Sequence, residues 1–307
     1  MTRWLVTGVS GLLGANAAIH LANEHQVIGT ARHTPAASPV PFLRADLEDP
    51  RERDGLIERS RAEAVIHTAA IASIEACERD PHRAHALNAT AAADLAGQAA
   101  RARIPFVHIS TDAVFDGSTG GYTEADEPSP TSAYGWSKLA GERAVLAANP
   151  DALVARVNFY GWSPSGSRSL AEFYHRRLSD GLRTPGFTDL QVSTLHVGLL
   201  VEALERLVEA GAHGVLHVVS SESTSKLEFG RALARAFSLD PSLVEPVLST
   251  DHLATRRSAL LGLSTARAER LLGERMPGQN AGLVRLLAES VSGVPARIRS
   301  YASTEVA

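Results

Sequence analysis

Three glycines, Gly8, Gly11 and Gly14, recur at every third residue directly after the first apolar segment of the chain. Trp4–Thr7 before them predicts a buried strand, and Leu12–Asn23 carries the pattern of a helix. At such a junction glycine permits a tight turn, lets the backbone approach a pyrophosphate and lets helix and strand pack closely. The free N–H groups of a helix N-terminus also attract phosphate. The segment predicts a dinucleotide site whose pyrophosphate contacts are Gly8, Ser10, Gly11, Leu12, Leu13 and Gly14.

Short apolar runs alternate with longer helical patterns through the first 160 residues. The strands predicted after the first are Gln26–Ala31, Phe42–Arg44, Ala64–His67, Phe106–Ile109 and Leu153–Val157. Helices are predicted to begin at Asp49-Pro50, to run from Asp80-Pro81 to about Arg101, and to span Tyr134–Ala148. Near-continuous apolar strands that alternate with helices are typical of a parallel sheet covered on both faces.

The regular alternation ends after Val157, where shorter and mixed elements follow. The predicted elements of this part are helices over Ser169–Leu178 and Leu195–Leu207, a strand over Val215–Val219, a capping box of Ser225 with Glu228, and a short helix capped by Ser264 and ending at Leu272-Gly273. We therefore predict an α/β fold with a doubly wound parallel sheet of the Rossmann type. Residues 1–160 form this dinucleotide-binding domain, to which later segments return, and residues 161–307 form mainly a smaller mixed α/β lobe that binds substrate.

Composition and charge argue against several classes of partner. The net charge is -4 and the pI is about 6.3, whereas nucleic acids and anionic membranes bind a basic face. No apolar run approaches the roughly 20 residues of a membrane helix, and the first residues lack the pattern of a signal peptide. Cys77 is the single cysteine, which indicates a reducing compartment. The 12 histidines show no metal-ligand spacing, so we expect a cytoplasmic protein without a metal.

The end of the second predicted strand indicates which dinucleotide binds. An NAD site usually has an acid there to bond the ribose hydroxyls, but this chain has Arg32-His33. Arg32 suits a charge-assisted bond to a 2′-phosphate, the alternative being a solvated loop residue. This favours NADPH over NADH. Asp46, followed by Leu47, is predicted to lie at the adenine and to bond its amine, with a plain turn role as the alternative.

A tyrosine and a lysine four residues apart predict a proton-transfer pair. Tyr134 and Lys138 share one face of a helix, so the lysine ammonium is expected to stabilise the phenolate and lower the tyrosine pKa. The lysine is also expected to hold the nicotinamide ribose. Upstream, Ser110 and Thr111 end a strand, where ligands bind in parallel sheets. Thr111 is the first choice for bonding a substrate carbonyl and Ser110 the second, and Ser110 is also a predicted cofactor contact.

Longer blocks of the chain resemble one family. The dTDP-4-dehydrorhamnose reductases, which are extended short-chain dehydrogenase/reductases, are similar to the segments TGVSGLLG, DLEDP, VIHTAA, HISTDAVFDG and YTEADEPSPTSAYGWSKLAGE. The resemblance covers about residues 3–160 and becomes thin beyond them. It implies NADPH-dependent reduction of a keto group on a nucleotide-linked deoxysugar, with Thr111, Tyr134 and Lys138 as the catalytic residues.

The resemblance implies further contacts. Ala69 and Ala70 would leave room for the cofactor, and Asn88 would lie near its nicotinamide end, unless it is a helix-surface amide. The predicted substrate contacts are Asp112, Trp136, Asn158, Trp162 and Arg168. Alternatively, Asp112 shapes its loop, the two tryptophans pack against neighbouring side chains, and Arg168 is solvated. The chain departs from the family at Ala113, at Asn158–Trp162 and at Ser193-Thr194, where the substrate would bind.

Two other functions remain open at this stage. An epimerase or dehydratase of the same superfamily would remove and return a hydride. A dehydratase usually has a second acid at the strand end, however, and here Asp112 stands alone. The third possibility is a non-catalytic regulatory subunit, since the beta subunit of methionine adenosyltransferase resembles this family. The expected partners are a nucleotide sugar and a second copy of the chain in a homodimer.

Overall fold

The computed structural model describes residues 1–35, 37–252 and 258–302 of the chain. Its strands are β1 (Arg3–Thr7), β2 (Gln26–Thr30), β3 (Ala64–His67), β4 (Phe106–Thr111), β5 (Leu153–Val157), β6 (Phe159–Tyr160), β7 (Thr184–Phe187), β8 (Gln191–Val192), β9 (Leu195–His196), β10 (Gly214–His217), β11 (Thr224–Ser225), β12 (Val244–Val247) and β13 (Leu260–Leu261). Its α-helices are α1 (Leu12–Leu21), α2 (Pro50–Arg53), α3 (Leu56–Ser60), α4 (Ile74–Arg79), α5 (Pro81–His85), α6 (Ala92–Ala102), α7 (Ala133–Ala148), α8 (Leu170–Ser179), α9 (Val197–Glu209), α10 (Lys226–Ala236), α11 (Ala266–Leu272), α12 (Gln279–Val291) and α13 (Val294–Arg299). None of the helices described has both the length and the apolar character that crossing a bilayer requires.

Six strands form one fully parallel sheet in the order β10-β5-β4-β3-β1-β2. Successive side chains of a strand point to opposite faces, so Leu5 and Val6 belong to separate buried apolar clusters, as do Val65 and Ile66. Helices therefore cover both faces, which confirms the predicted doubly wound sheet. The chain runs from β1 to β2 on one side and to β3 on the other. The carboxyl ends of strands at such a reversal form a crevice that binds ligands.

Two predicted elements in the first half differ in the structure. Phe42–Arg44 does not form a full strand, and one parallel bridge joins Phe42 to Gly29 at the sheet edge. Pro41 precedes it and lacks the N–H group that a longer ladder would need. The chain is helical throughout the predicted helix up to Arg101, but it is not a single α-helix. A π-helical segment, Ala86–Ala91, separates α5 from α6.

Two helix starts also differ. The helix predicted over Leu195–Leu207 begins only at Val197, because Leu195–His196 pairs with β6 as a short parallel strand. The helix predicted to be capped by Ser264 begins one residue later, with Thr265 at the N-cap position. Its predicted end at Leu272 is confirmed, since Gly273 follows in the left-handed conformation.

The residues after β6 build smaller layers beside the main sheet. They form the sheets β11-β8-β13 and β12-β7, and β9 pairs with β6. Ser225 caps α10 through the predicted capping box with Glu228, and Ser169 caps α8 in the same way. The late strand β10 joins the edge of the main sheet beside β5. The division into two lobes at residue 160 stays a prediction.

Candidate active site

The glycine segment forms a tight turn between β1 and α1. Gly8 has a φ of +71°, which other residues rarely adopt, and its N–H donates to the Thr30 carbonyl at 2.7 Å. A Cβ at Gly14 would lie only 2.2 Å from the Gly8 carbonyl oxygen, so glycine lets α1 pack onto the turn. Leu12 and Leu13 point into the core. Only their backbone N–H groups are therefore suited to bind a phosphate, at a helix start whose N-cap, Gly11, carries no side chain.

A cleft extends from this turn across the carboxyl ends of β1 to β3. The predicted cofactor residues that line it are Gly8, Ser10, Gly11, Arg32, Asp46, Leu47, Ala69 and Ala70. Arg168, predicted as a substrate contact, lines it as well. The sequence did not single out the remaining lining residues, which are Thr30, Ala31, His33, Ala45, Glu48, Thr68, Ile71, Arg83 and Leu87. Most of these lie next to a predicted residue in the sequence, and that position could have identified them. Leu87 directly precedes the predicted Asn88, whereas Arg83 has no predicted residue beside it and carried no such signal.

Arginine side chains gather at the end of the cleft that lies beyond β2. The Glu48 carboxylate accepts hydrogen bonds from Arg83 Nε at 2.6 Å and Nη2 at 2.7 Å, and from Arg32 Nη1 at 3.4 Å. The hydrogen bond from Arg83 is the main cause that lowers the pKa of Glu48. Arg168 lies in the same cleft, and its contact with a substrate stays a prediction. Three guanidinium groups thus face a space that suits a phosphorylated dinucleotide.

Strand β4 and helix α7 bring the predicted catalytic trio together. Thr111 is the last residue of β4, and Tyr134 and Lys138 lie one turn apart on α7. Thr111 faces the Tyr134 hydroxyl and acts to lower the pKa of the tyrosine. Two local features fix the start of α7. Ser132 caps it by accepting the Gly135 N–H at 3.1 Å, and a Cβ at Gly135 would lie 2.3 Å from the Ala113 carbonyl oxygen.

The pKa of Tyr134 differs from the value that the sequence predicts. Burial raises the pKa of Tyr134 to about 12, although Thr111 acts in the opposite direction. The sequence predicts a lowered value, but in this structure loss of hydration outweighs any stabilisation of the phenolate. Burial lowers the pKa of Lys138 to about 8. At neutral pH the site therefore holds a protonated phenol beside an ammonium group.

Two predicted substrate contacts, Asp112 and Asn158, lie against the trio. Thr111 Oγ1 donates to Asp112 Oδ1 at 3.1 Å, and Asn158 Nδ2 donates to Asp112 Oδ2 at 2.6 Å. Burial raises the pKa of Asp112 to about 6, and both hydrogen bonds act against that rise. Because the Thr111 proton is given to Asp112, the Thr111 oxygen keeps a lone pair for the hydroxyl of Tyr134.

Two predicted cofactor contacts, Asn88 and Ser110, form hydrogen bonds within the protein. Asn88 is 1% exposed, so the surface-amide alternative is wrong. Its amide accepts the Ile71 N–H at 2.8 Å and donates to Ser137 Oγ at 2.8 Å, and it thereby ties the end of the cleft to α7. Ser110 Oγ donates to Glu142 at 2.5 Å. Because the Ser110 side chain is directed at that carboxylate, Thr111 is the strand-end hydroxyl that meets the tyrosine.

The two predicted substrate tryptophans are far from equivalent. Trp136 is 56% exposed on α7, two residues from Tyr134. Trp162 is buried, with its indole edge-on to His175 of α8 and its carbonyl accepting the Asn16 amide at 2.8 Å. The structure packs Trp162 against α8 rather than against the trio, and its contact with a substrate stays a prediction.

The chain resembles known proteins over most of its length. Residues 2–292 match the family described as RmlD substrate binding domain. A dTDP-4-dehydrorhamnose reductase of Mycobacterium tuberculosis is 34% identical over 283 residues, which are 86% of this chain and 89% of that one. Methionine adenosyltransferase 2 subunit beta of Rattus norvegicus is 30% identical over 286 residues, or 90% of this chain and 84% of that one.

A solved structure shows the same fold. The dTDP-4-dehydrorhamnose reductase from Bacillus anthracis, in complex with NADP, has a TM-score of 0.83 to this chain at 24% identity, covering 94% of this chain and 100% of the other. The family match also extends well beyond residue 160, where the resemblance of the sequence blocks becomes thin. This chain therefore belongs to the RmlD substrate binding domain family.

Proposed function

We propose that this chain is an oxidoreductase that uses NADPH to reduce a keto group on a nucleotide-linked deoxysugar. The observation that carries the proposal is the grouping of Thr111, Tyr134 and Lys138 next to a cleft whose glycine turn suits a pyrophosphate. Its support from relatives is the 34% identity to a dTDP-4-dehydrorhamnose reductase over most of both chains. The same substrate class, a dTDP-linked 4-keto-6-deoxysugar, is the first to test.

The reaction needs a hydride and a proton at the two ends of one C=O bond. Bound NADPH would supply the hydride to the carbonyl carbon. Tyr134 donates its phenolic proton to the carbonyl oxygen, and its pKa of about 12 keeps that proton available at neutral pH. On substrate binding the Thr111 hydroxyl would turn its proton from Asp112 to the same carbonyl oxygen and so orient it. Lys138 holds the ribose next to the sheet edge and stabilises the phenolate that remains after proton transfer.

The choice of NADPH rests on the arginines of the cleft. We expect Arg32→Ala to weaken NADPH binding by about ten- to a hundredfold, the value of one charge-assisted hydrogen bond, and NADH binding by much less. Titration of the protein fluorescence with each cofactor measures both constants. Arg44→Ala is the matched control, because Arg44 pairs with Glu52 outside the cleft and is 56% exposed. An equal loss on both cofactors would remove Arg32 from 2′-phosphate recognition.

A turnover assay tests the function itself. The purified chain is mixed with NADPH and dTDP-4-dehydrorhamnose, and cofactor oxidation is compared with sugar product. One NADPH consumed for each reduced sugar supports the reductase. Interconversion of sugars without net oxidation would indicate the epimerase alternative. No turnover on any nucleotide keto-sugar, together with binding to a methionine adenosyltransferase catalytic subunit, would favour the regulatory alternative that the 30% identical relative raises.

The proposal also includes the surroundings in which the chain acts. A reducing cytoplasm agrees with the single, buried thiol of Cys77, and cell fractionation would test it. We propose a homodimer as the assembly, which analytical ultracentrifugation would test. The carboxyl-terminal residues 161–307 would supply most of the sugar site, as the division into two lobes predicts.

A further inference from the structure

We propose that His108 is a positioning residue for the catalytic lysine. Its neutral imidazole accepts a hydrogen bond from the Lys138 ammonium and fixes that charge one helical turn from Tyr134 without neutralising it. The inference rests on the proposed reductase function, because that function makes the charge of Lys138 part of the reaction. It adds to the trio a buried residue that acts through Lys138.

The contact joins β4 to α7 inside the protein. His108 Nε2 lies 3.4 Å from Lys138 Nζ, and the two residues are only 1% and 2% exposed. Gly141, one turn further along α7, permits this approach. A Cβ there would lie 3.3 Å from His108 Nε2 and 2.3 Å from the Asn88 carbonyl oxygen. A buried ammonium without an acceptor is strongly disfavoured, so this hydrogen bond helps to keep Lys138 charged.

The nearest acid on α7 is committed to another partner. Glu142 follows Lys138 by one turn, but its Oε2 lies 2.8 Å from Arg156 Nη2 and its Oε1 accepts from Ser110. Among the residues that the structure describes, no ion pair joins Lys138 to a carboxylate. A directly paired carboxylate would cancel much of the ammonium's field at Tyr134, whereas a neutral imidazole leaves that field in place.

The charge of Glu142 acts to raise the pKa of Lys138, but the other titratable groups that face the lysine are uncharged at neutral pH. Cys77 faces it from α4, and burial raises the pKa of that thiol. His67 faces it from β3, and burial lowers the pKa of His67 to about 3. Burial and the charge of Lys138 lower the pKa of His108 well below its usual value. His108 therefore keeps a free lone pair for the lysine throughout the working pH range.

The ring of His108 is held in place from its other side. His67 stacks against it, with ring centroids 5.6 Å apart and planes 22° from parallel. His67 Nδ1 in turn lies 2.9 Å from Thr7 Oγ1, at the end of β1. With Lys138 donating to Nε2, the proton of His108 resides on Nδ1. The acceptor atom is thus aimed at the lysine by packing across three adjacent strands.

The composition of the chain allows a direct measurement. Only 2 of its 30 basic residues are lysines, Lys138 and Lys226. In protein labelled with ¹³C-lysine, two side-chain Cε resonances are expected, and Lys226→Arg assigns them. The pH titration of the Lys138 resonance then reports its pKa without turnover. This separates the inference from the proposed function, because it gives an answer even if no keto-sugar is reduced.

Two substitutions of similar size distinguish a positioning role from packing. In His108→Gln the amide oxygen reaches the place of Nε2, and in His108→Asn it reaches only that of Nδ1. We expect the Lys138 titration midpoint to stay near 8 with glutamine and to fall by about one pH unit or more with asparagine, as with His108→Phe. At pH 8 a shift of one unit reduces the charged fraction, and with it kcat, by about fivefold.

The control is His175→Phe, which removes an imidazole from α8, where the ring packs edge-on against Trp162 and Phe237. We expect it to leave the Lys138 midpoint unchanged even if it lowers the melting temperature. The inference is overturned if the asparagine and glutamine variants titrate alike, or if both retain the wild-type midpoint. If the phenylalanine variant fails to fold, the asparagine and glutamine pair still decides the result.

Discussion

Tyr134→Phe should reduce kcat by about a hundred- to ten-thousandfold while leaving the affinity for NADPH within about twofold of the wild type. The substitution removes the proton that the carbonyl oxygen needs and keeps the ring that packs at the start of α7. Its hydroxyl faces Thr111 rather than a residue of the glycine turn. Steady-state assays give kcat, and fluorescence titration gives the NADPH dissociation constant.

The matched control for this substitution is Tyr160→Phe. Tyr160 is fully buried, and its hydroxyl has no hydrogen-bond partner within the described part of the chain. Removing that hydroxyl should leave kcat unchanged and leave the melting temperature the same or slightly higher. A Tyr134→Phe variant that retained wild-type kcat would take the phenol out of the mechanism. A similar loss of kcat in both variants would point to a general effect of the substitution.

Gly14→Ala should weaken NADPH binding by about ten- to a hundredfold and lower the free energy of unfolding by about 1–3 kcal/mol. The new Cβ would lie 2.2 Å from the Gly8 carbonyl oxygen and 2.6 Å from its carbon. Both are backbone atoms and cannot rotate away, so α1 must move off the turn. That movement displaces the N–H groups that face the pyrophosphate. Thermal unfolding and cofactor titration measure the two effects.

Gly97→Ala is the control for adding a methyl group to a helical glycine. Gly97 lies inside α6, and the nearest atom to its added Cβ would be 3.6 Å away on the flexible side chain of Arg101. Replacing glycine by alanine in an open helix interior should raise stability by roughly 0.5–1 kcal/mol and leave cofactor binding unchanged. If Gly14→Ala were equally harmless, the close packing of α1 on the glycine turn would not be needed for binding.

Features that depend on neighbouring residues were predictable from the sequence. The glycine turn, the capping box of Ser225 with Glu228 and the spacing of Tyr134 with Lys138 all join groups within one or two turns of chain. The apolar strand runs likewise predicted a parallel sheet, because strands buried on both faces need apolar residues at successive positions. The sequence did not predict where the helix after Thr194 begins, because Leu195–His196 pairs with β6, which is remote in the sequence.

The pKa of Tyr134 could not be predicted from the residues near it in the sequence. Spacing on a helix placed an ammonium near the phenol, but the degree of burial depends on every element packed around them. In the structure burial dominates and raises that pKa to about 12. The same dependence explains Ser110 and Arg168. One faces Glu142 and the other lies in the cofactor cleft, and neither direction follows from the residues next to them.

The amino-acid sequence by itself determined the parallel sheet, the glycine turn and the tyrosine–lysine pair, since these arise from periodicity and from contacts between near neighbours. Only the tertiary structure decided that His108 faces Lys138, and that Arg83 meets Glu48 across 35 positions of chain. The physical reason is that alternation along a strand predicts the face of the sheet to which a side chain points. The residue that it contacts there depends on which helix covers that face. That choice is made by packing of the whole core, in which separated segments fill a shared volume.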